Sequence, residues 1–205
     1  MALRLLRHTR WIALLAACAS SACGSSQPPP PDAFVAASVL DTQPTSMSCN
    51  VGSSTTIVDI GAAGTSANEK PATVGNGGHE PGGQAVTVTC SVVASGSGFN
   101  VQLSAEQIGT GGGSLTITSP QPLDPVNGGT VSAGWQNANV GTYQQDGCML
   151  TYTYQGAAVP SSAGPPIAAG RIWAHVSCLM ATDSQQMPAP VCDGEADILF
   201  ENCSQ

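Results

Sequence analysis

Positive charge is the scarcest thing in this chain. Lysine and arginine number five in 205 residues, and three of them, Arg4, Arg7 and Arg10, lie in the first ten positions. Beyond those positions only Lys70 and Arg171 remain, against thirteen acids, for a net charge of −11. Nucleic-acid binding needs many basic side chains to neutralise phosphates, and two do not suffice. Nucleic acid is therefore excluded as a partner. Anionic headgroups should repel the polypeptide as well, so attachment to a membrane would have to come from a lipid.

Other shortages narrow the reading further. Charged residues of both signs make up 9% of the chain and aromatics 4%, where about a quarter charged is usual. The apolar run from Trp11 to Ala22 has twelve residues, too few to span a bilayer as a helix. There is no Gly-x-Ser-x-Gly, no His-Glu-x-x-His and no phosphate-cradling glycine loop leading into a helix. Beyond the first ten residues only two histidines occur, His79 and His175. No cofactor is implied.

What the chain does have begins at its N-terminus. A basic start, a short apolar stretch and small residues ending in cysteine compose an export signal. Leu15-Ala16-Ala17-Cys18 resembles the lipobox of bacterial lipoproteins. The resemblance implies that the cysteine is lipidated and becomes the first mature residue. Cys18 has the better box. Cys23, after Ser20-Ser21-Ala22, is the alternative: it has the longer apolar run before it and would leave an even set of six cysteines. Neither is followed by Asp, so the resemblance implies an outer-membrane location, on the periplasmic side or at the cell surface. The expected organisation is a signal peptide over 1–17, a Ser/Pro tether over 18–32 and a folded domain over 33–205. Pro28 to Pro31 favour an extended spacer.

Within the domain no helical period appears. Short runs rich in Val, Thr, Ile and Leu alternate with Gly, Asn, Ser and Pro, the pattern of strands and turns. Strands are expected at Phe34–Leu40, Ser46–Val51, Thr55–Ile60, Ala85–Ala94, Phe99–Ile108, Ser114–Ser119, Gly129–Trp135, Cys148–Tyr154, Arg171–Leu179 and Ala196–Phe200. Ser95 to Gly98 and Gly109 to Gly113 read as hairpin turns. The fold class is all-β: a disulfide-stapled antiparallel β-sandwich with long Gly/Pro-rich loops. Two of those loops, Gly61 to Gly83 and Gln155 to Gly170, lack apolar anchors, and their composition predicts disorder.

Cys49, Cys90, Cys148, Cys178, Cys192 and Cys203 form the clearest constellation. No close Cys-x-x-Cys pair marks a zinc site, so in an exported chain they read as three disulfides. Fifteen connectivities are available to six cysteines. Short loops and strand order favour Cys49–Cys90, Cys178–Cys192 and Cys148–Cys203.

Two further groups are candidate sites. Alternation along Arg171 to Cys178 turns Ile172, Ala174, Val176 and Cys178 to one face and Arg171, Trp173, His175 and Ser177 to the other. Arg171, Trp173 and His175 could grip an envelope glycan or a protein; the competing reading packs Trp173 under a loop. Asp193, Glu195 and Asp197 share one face if extended and make a weak calcium candidate, although the EF-hand pattern is absent. These features favour a lipid-anchored envelope or surface protein of unknown activity, a non-enzymatic binding or structural module. The alternative is a secreted hydrolase with a site assembled around His175 or His79.

Overall fold

Apolar residues at every second position decide the strands. A computed structural model describes residues 27–41, 49, 51 and 53–205. Cys18 and Cys23, the cysteines expected to carry a lipid, lie outside the described residues. So does most of the expected strand Ser46–Val51, of which only Cys49 and Val51 are described, both outside any strand.

The strands are β1 (Asp32–Leu40), β2 (Thr55–Ile60), β3 (Val74–Gly75), β4 (Ala85–Ser95), β5 (Gly98–Ile108), β6 (Gly113–Thr118) and β7 (Gly129–Asn137). They continue with β8 (Gly141–Thr151), β9 (Thr153–Tyr154), β10 (Ala157–Ala158), β11 (Ile167–Ala168), β12 (Arg171–Thr182) and β13 (Val191–Glu201). Hydrogen bonding runs through one antiparallel sheet in the order β2-β1-β13-β12-β8-β7-β6-β5-β4. The short β3 pairs with β1 and β11 with β12, while β9 and β10 make a separate hairpin.

This sheet nearly closes on itself. An exposed strand edge invites pairing with other chains, and the outer edge of β4 is capped by three segments. Gly77 donates to the Val86 carbonyl and the Val86 N–H donates to Gly78, each at 2.9 Å. Ser204 bridges the Cys90 carbonyl and the Val92 N–H at 3.0 Å each, and Gly170 donates to the Val92 carbonyl at 2.9 Å. The free edge of β2 is capped by amides instead. Asn137 Nδ2 donates to the Ile57 carbonyl at 3.0 Å, and Gln107 Nε2 donates to the Asp59 carbonyl.

Inward-facing side chains of all the long strands fill the interior, with Trp135 and Tyr143 the largest in this main core. Trp135 is fully buried, and its indole N–H donates to the Glu195 carbonyl at 3.3 Å. Its ring lies against Gly194, where a Cβ would come within 2.8 Å of two ring atoms. Gly194 is therefore a mid-strand glycine required by close approach.

All six domain cysteines are bonded, but with a connectivity different from the one expected. The pairs are Cys49–Cys192, Cys90–Cys203 and Cys148–Cys178. Register explains each correction. Cys178 lies opposite Gly194 in β13, whereas the pairings Val176↔Leu150 and Ser177↔Met149 bring it opposite Cys148 in β8. Leu40, the end of β1, sits opposite Asp193, so the chain beyond β1 reaches Cys192. Cys203, past the end of β13, runs along the edge of β4 and meets Cys90. Three disulfides indicate an oxidising, extracytoplasmic compartment. No helix among the described residues is long and apolar enough to cross a membrane.

Candidate functional site

The outward face of β12 is the first place to look, and it divides into two parts. Alternation holds there: Ile172, Ala174, Val176 and Cys178 are buried in the main core. On the opposite face Trp173 is also fully buried, in a second cluster with Phe34, Tyr154 and Leu199. Tyr154 packs at 5.3 Å from Trp173 and 5.9 Å from Phe34, centroid to centroid. The expected surface of Arg171, Trp173 and His175 is therefore corrected. Trp173 supports the cover above it and presents nothing to solvent.

The cover is made by the two segments that composition marks as disordered. Both are folded. Ala62 and Ala72 exchange backbone bonds at 3.1 and 2.8 Å. Gly64 donates to the Tyr154 hydroxyl at 2.9 Å, and Gln155 Nε2 donates to the Gly64 carbonyl at 3.1 Å. Pro166 accepts from the Trp173 N–H at 2.7 Å. Backbone bonds and ion pairs hold most of these segments, and their apolar anchors are few: Ile167 is buried in the main core, Val74 packs against it, and Val159 and Ala163 pack against the Trp173 cluster.

Glu201 is the clamp. Lys70 Nζ lies 2.6 Å from one of its oxygens and Arg171 Nε lies 3.1 Å from the other. Arg171 also donates to the Pro165 carbonyl at 2.6 Å and sits 5.9 Å from the Trp173 ring centroid. Both lysine and arginine side chains of the domain thus converge on one carboxylate.

Beside the cover, His175 Nδ1 lies 2.9 Å from Asp197 Oδ1, opposite it in the sheet. Its pKa is raised, first by the hydrogen bond to Asp197; partial burial opposes this, and the charges of Asp197 and Glu195 add to the rise. A raised folded-state pKa contributes stability that is complete below the unfolded value of about 6.5 and lost as pH rises through the folded value. We expect His175→Gln to destabilise the protein more at pH 5.5 than at pH 8.5, measured by urea denaturation. A pH-independent difference would mean that the imidazole is not charged in this pair.

The calcium candidate is not assembled. Asp197 is turned to His175, Glu195 is exposed, Asp193 is nearly buried, and no group of three metal-ligating side chains occurs among the described residues. His79 is exposed at the mouth of a small cavity of about 370 Å³, where the buried Glu80 accepts from the Gly61 N–H at 2.8 Å. His79 and His175 belong to different regions, and neither is brought against a nucleophile by any hydrogen bond described.

A candidate site that sequence reasoning missed lies on the outer face of β4 to β8. Register places Thr89, Ser104, Thr116, Gly134, Gln144 and Thr182 in one row across β4, β5, β6, β7, β8 and β12. Ser91, Gln102, Thr118 and Ser132 form the next row. A groove of about 520 Å³ follows these rows, with Gly134 in its floor, Thr116 and Thr118 along one wall, and Gln144, Gln145 and Met180 along the other. A side chain at Gly134 would reach to 3.0 Å from Thr116 Oγ1, so its absence opens the floor. Grooves of about 430 and 270 Å³ continue the depression, the first sharing Thr116 and Thr118, the second sharing Ser91, Gln102 and Thr118 with the first. Asp146 is the one charged residue lining the three.

The signal for this face was present in Val86-Thr87-Val88-Thr89 and Leu115-Thr116-Ile117-Thr118, where every outward position is a hydroxyl. Separate strands acquire meaning as a surface only when register aligns them. No family model, curated protein or solved structure matches the chain.

Proposed function

We propose that the chain is a lipid-anchored protein of the bacterial envelope, in the outer membrane, whose domain binds another envelope component and catalyses nothing. The observation that carries the reading is the continuous, nearly uncharged polar groove over β4 to β8. Hydroxyl and amide groups in register recognise by donating and accepting hydrogen bonds, and they offer no strong acid, base or nucleophile. The net charge of −11 beyond the first ten residues favours neutral or cationic ligands over anionic ones.

The anchor is the lipobox cysteine, Cys18, with Cys23 as the alternative. Wild-type protein should incorporate labelled palmitate and partition into detergent, and Cys18→Ala should abolish both. Labelling that survives this change and disappears with Cys23→Ala would move the cleavage site. A wild type that never incorporates palmitate would remove the anchor from the proposal.

The groove is tested by substitution. Thr116→Arg with Thr118→Arg should lower retention of the mature protein on isolated envelopes at least tenfold, while His175→Gln leaves it unchanged. Unaltered retention with both arginines in place would rule the groove out. The second reading, a hydrolase, is favoured by one observation, the 2.9 Å contact that orients His175 against Asp197. Turnover of an ester or glycosidic substrate that is lost in His175→Gln would establish it.

A further inference from the structure

We infer that the groove accommodates an extended, uncharged glycan strand lying across the β-strands, an inference that rests on the binding role proposed above. Charge makes the first selection. The lysine and arginine side chains of the domain are both spent on Glu201, so neither is offered to an anionic ligand. Asp146 in the groove repels one. A polyanion or an acidic polysaccharide would pay that repulsion with nothing returned.

Side-chain chemistry makes the second selection. Peptide-binding grooves gain most of their affinity from deep apolar or aromatic pockets. Here Met180 is the single large apolar side chain among the surface-facing residues of the most voluminous of the three depressions. What the groove offers is hydroxyls and carboxamides, each both donor and acceptor. Sugar hydroxyls have the same dual character, so every pairing can be satisfied in either direction.

Shape makes the third. The three depressions share lining residues, so the path is continuous from β12 to β4. Six strands at about 4.8 Å spacing make a path of about 24 Å. That length suits several sugar rings in series and is longer than a typical compact small ligand. Rows of short polar side chains, without an aromatic platform, give weak contacts per ring. Affinity must therefore accumulate along the polymer, and display of many copies on a membrane would multiply it.

The test uses the mature lipidated protein in detergent micelles. The probes are neutral gluco- and N-acetylglucosamine oligosaccharides of two to six units, with hexagalacturonate as the anionic probe, followed by calorimetry. The expected result is binding of at least one neutral series, with the hexamer at least tenfold tighter than the dimer and no binding of the galacturonate. Gly134→Val should weaken hexamer binding at least tenfold with no fall in Tm, because valine suits a strand and fills the groove from outside. Should that variant fail to fold, Thr116→Val, which removes a hydroxyl at nearly constant shape, should weaken the hexamer several-fold. Loss of envelope retention in Gly134→Val without binding of any neutral oligosaccharide would overturn the glycan and keep the groove as the site. Preferential binding of the galacturonate, or of a peptide extracted from the envelope, would overturn it equally. Retention and oligosaccharide binding that both ignore Gly134→Val would overturn the glycan and the groove together.

Discussion

Gly194→Val lowers the stability of the domain by about 3 kcal/mol or more and its Tm by about 6–12 °C. The contact behind this expectation is steric. A Cβ at Gly194 would sit 2.8 Å from two atoms of the Trp135 ring and 3.0 Å from a third. The ring cannot swing away, since Trp135 is fully buried and its N–H is held by the Glu195 carbonyl. Interiors are packed too densely to absorb a branched side chain without shifting backbone. Gly194→Ala should show the smaller form of the same effect, about 1–3 kcal/mol. Trp135→Phe shortens the ring and provides the control: in that background the alanine substitution should cost markedly less. An undiminished cost would show that the indole is not what Gly194 avoids.

Breaking the Cys90–Cys203 bond should cost about 4 kcal/mol, enough to lower Tm by about 8–16 °C. The cysteines lie 113 residues apart, and the bond ties the C-terminal segment to the edge of β4. Its loss in Cys90→Ala with Cys203→Ala removes a long-range constraint on the unfolded chain. It also loosens the Ser204 bridge that caps the Cys90 carbonyl and the Val92 N–H. Cys148→Ala with Cys178→Ala should cost less, because that loop spans only 30 residues and the two strands remain paired by their backbones. Thermal unfolding by circular dichroism ranks the two. Amide exchange at Val92 should accelerate in the first double variant alone. An equal loss in both, with unchanged exchange at Val92, would mean that the edge of β4 does not depend on this disulfide.

Residue alternation carried most of the architecture, and it failed where chemistry other than burial held the chain. Thr55–Ile60 is a strand with the expected bounds, and β4, β5 and β6 lie within one residue of theirs. The first half of β8, Gly141-Thr-Tyr-Gln-Gln-Asp-Gly, was not legible. Its one fully buried side chain there is Tyr143, and pairing with β7 keeps the rest extended. Trp173 misled for the opposite reason. Both faces of β12 are covered at that point: Trp173 packs with Phe34, Tyr154 and Leu199, and over them lie segments poor in large apolar residues, held by Tyr154, Gln155 and the Glu201 ion pairs. The disulfides were legible as a set and illegible as pairs, because partner choice follows register. The polar groove was hidden similarly: its residues come from six strands and share no local motif.

The order in which this chain is made sets a schedule for its closure. Synthesis runs from the N-terminus, and the first long strand, β1, has as its central partner β13, the last. The native partners of Cys49 and Cys90 are Cys192 and Cys203, which follow them by 143 and 113 residues. Only Cys148 and Cys178 can join earlier. A nascent chain delivered gradually across a membrane would stay open, its early thiols exposed to mispairing, until Cys192 and Cys203 arrived. An oxidase acting too early would trap the premature Cys49–Cys90 bond. A thiol isomerase, or oxidation delayed until both late cysteines have arrived, would release such a trap and let the native pairs form.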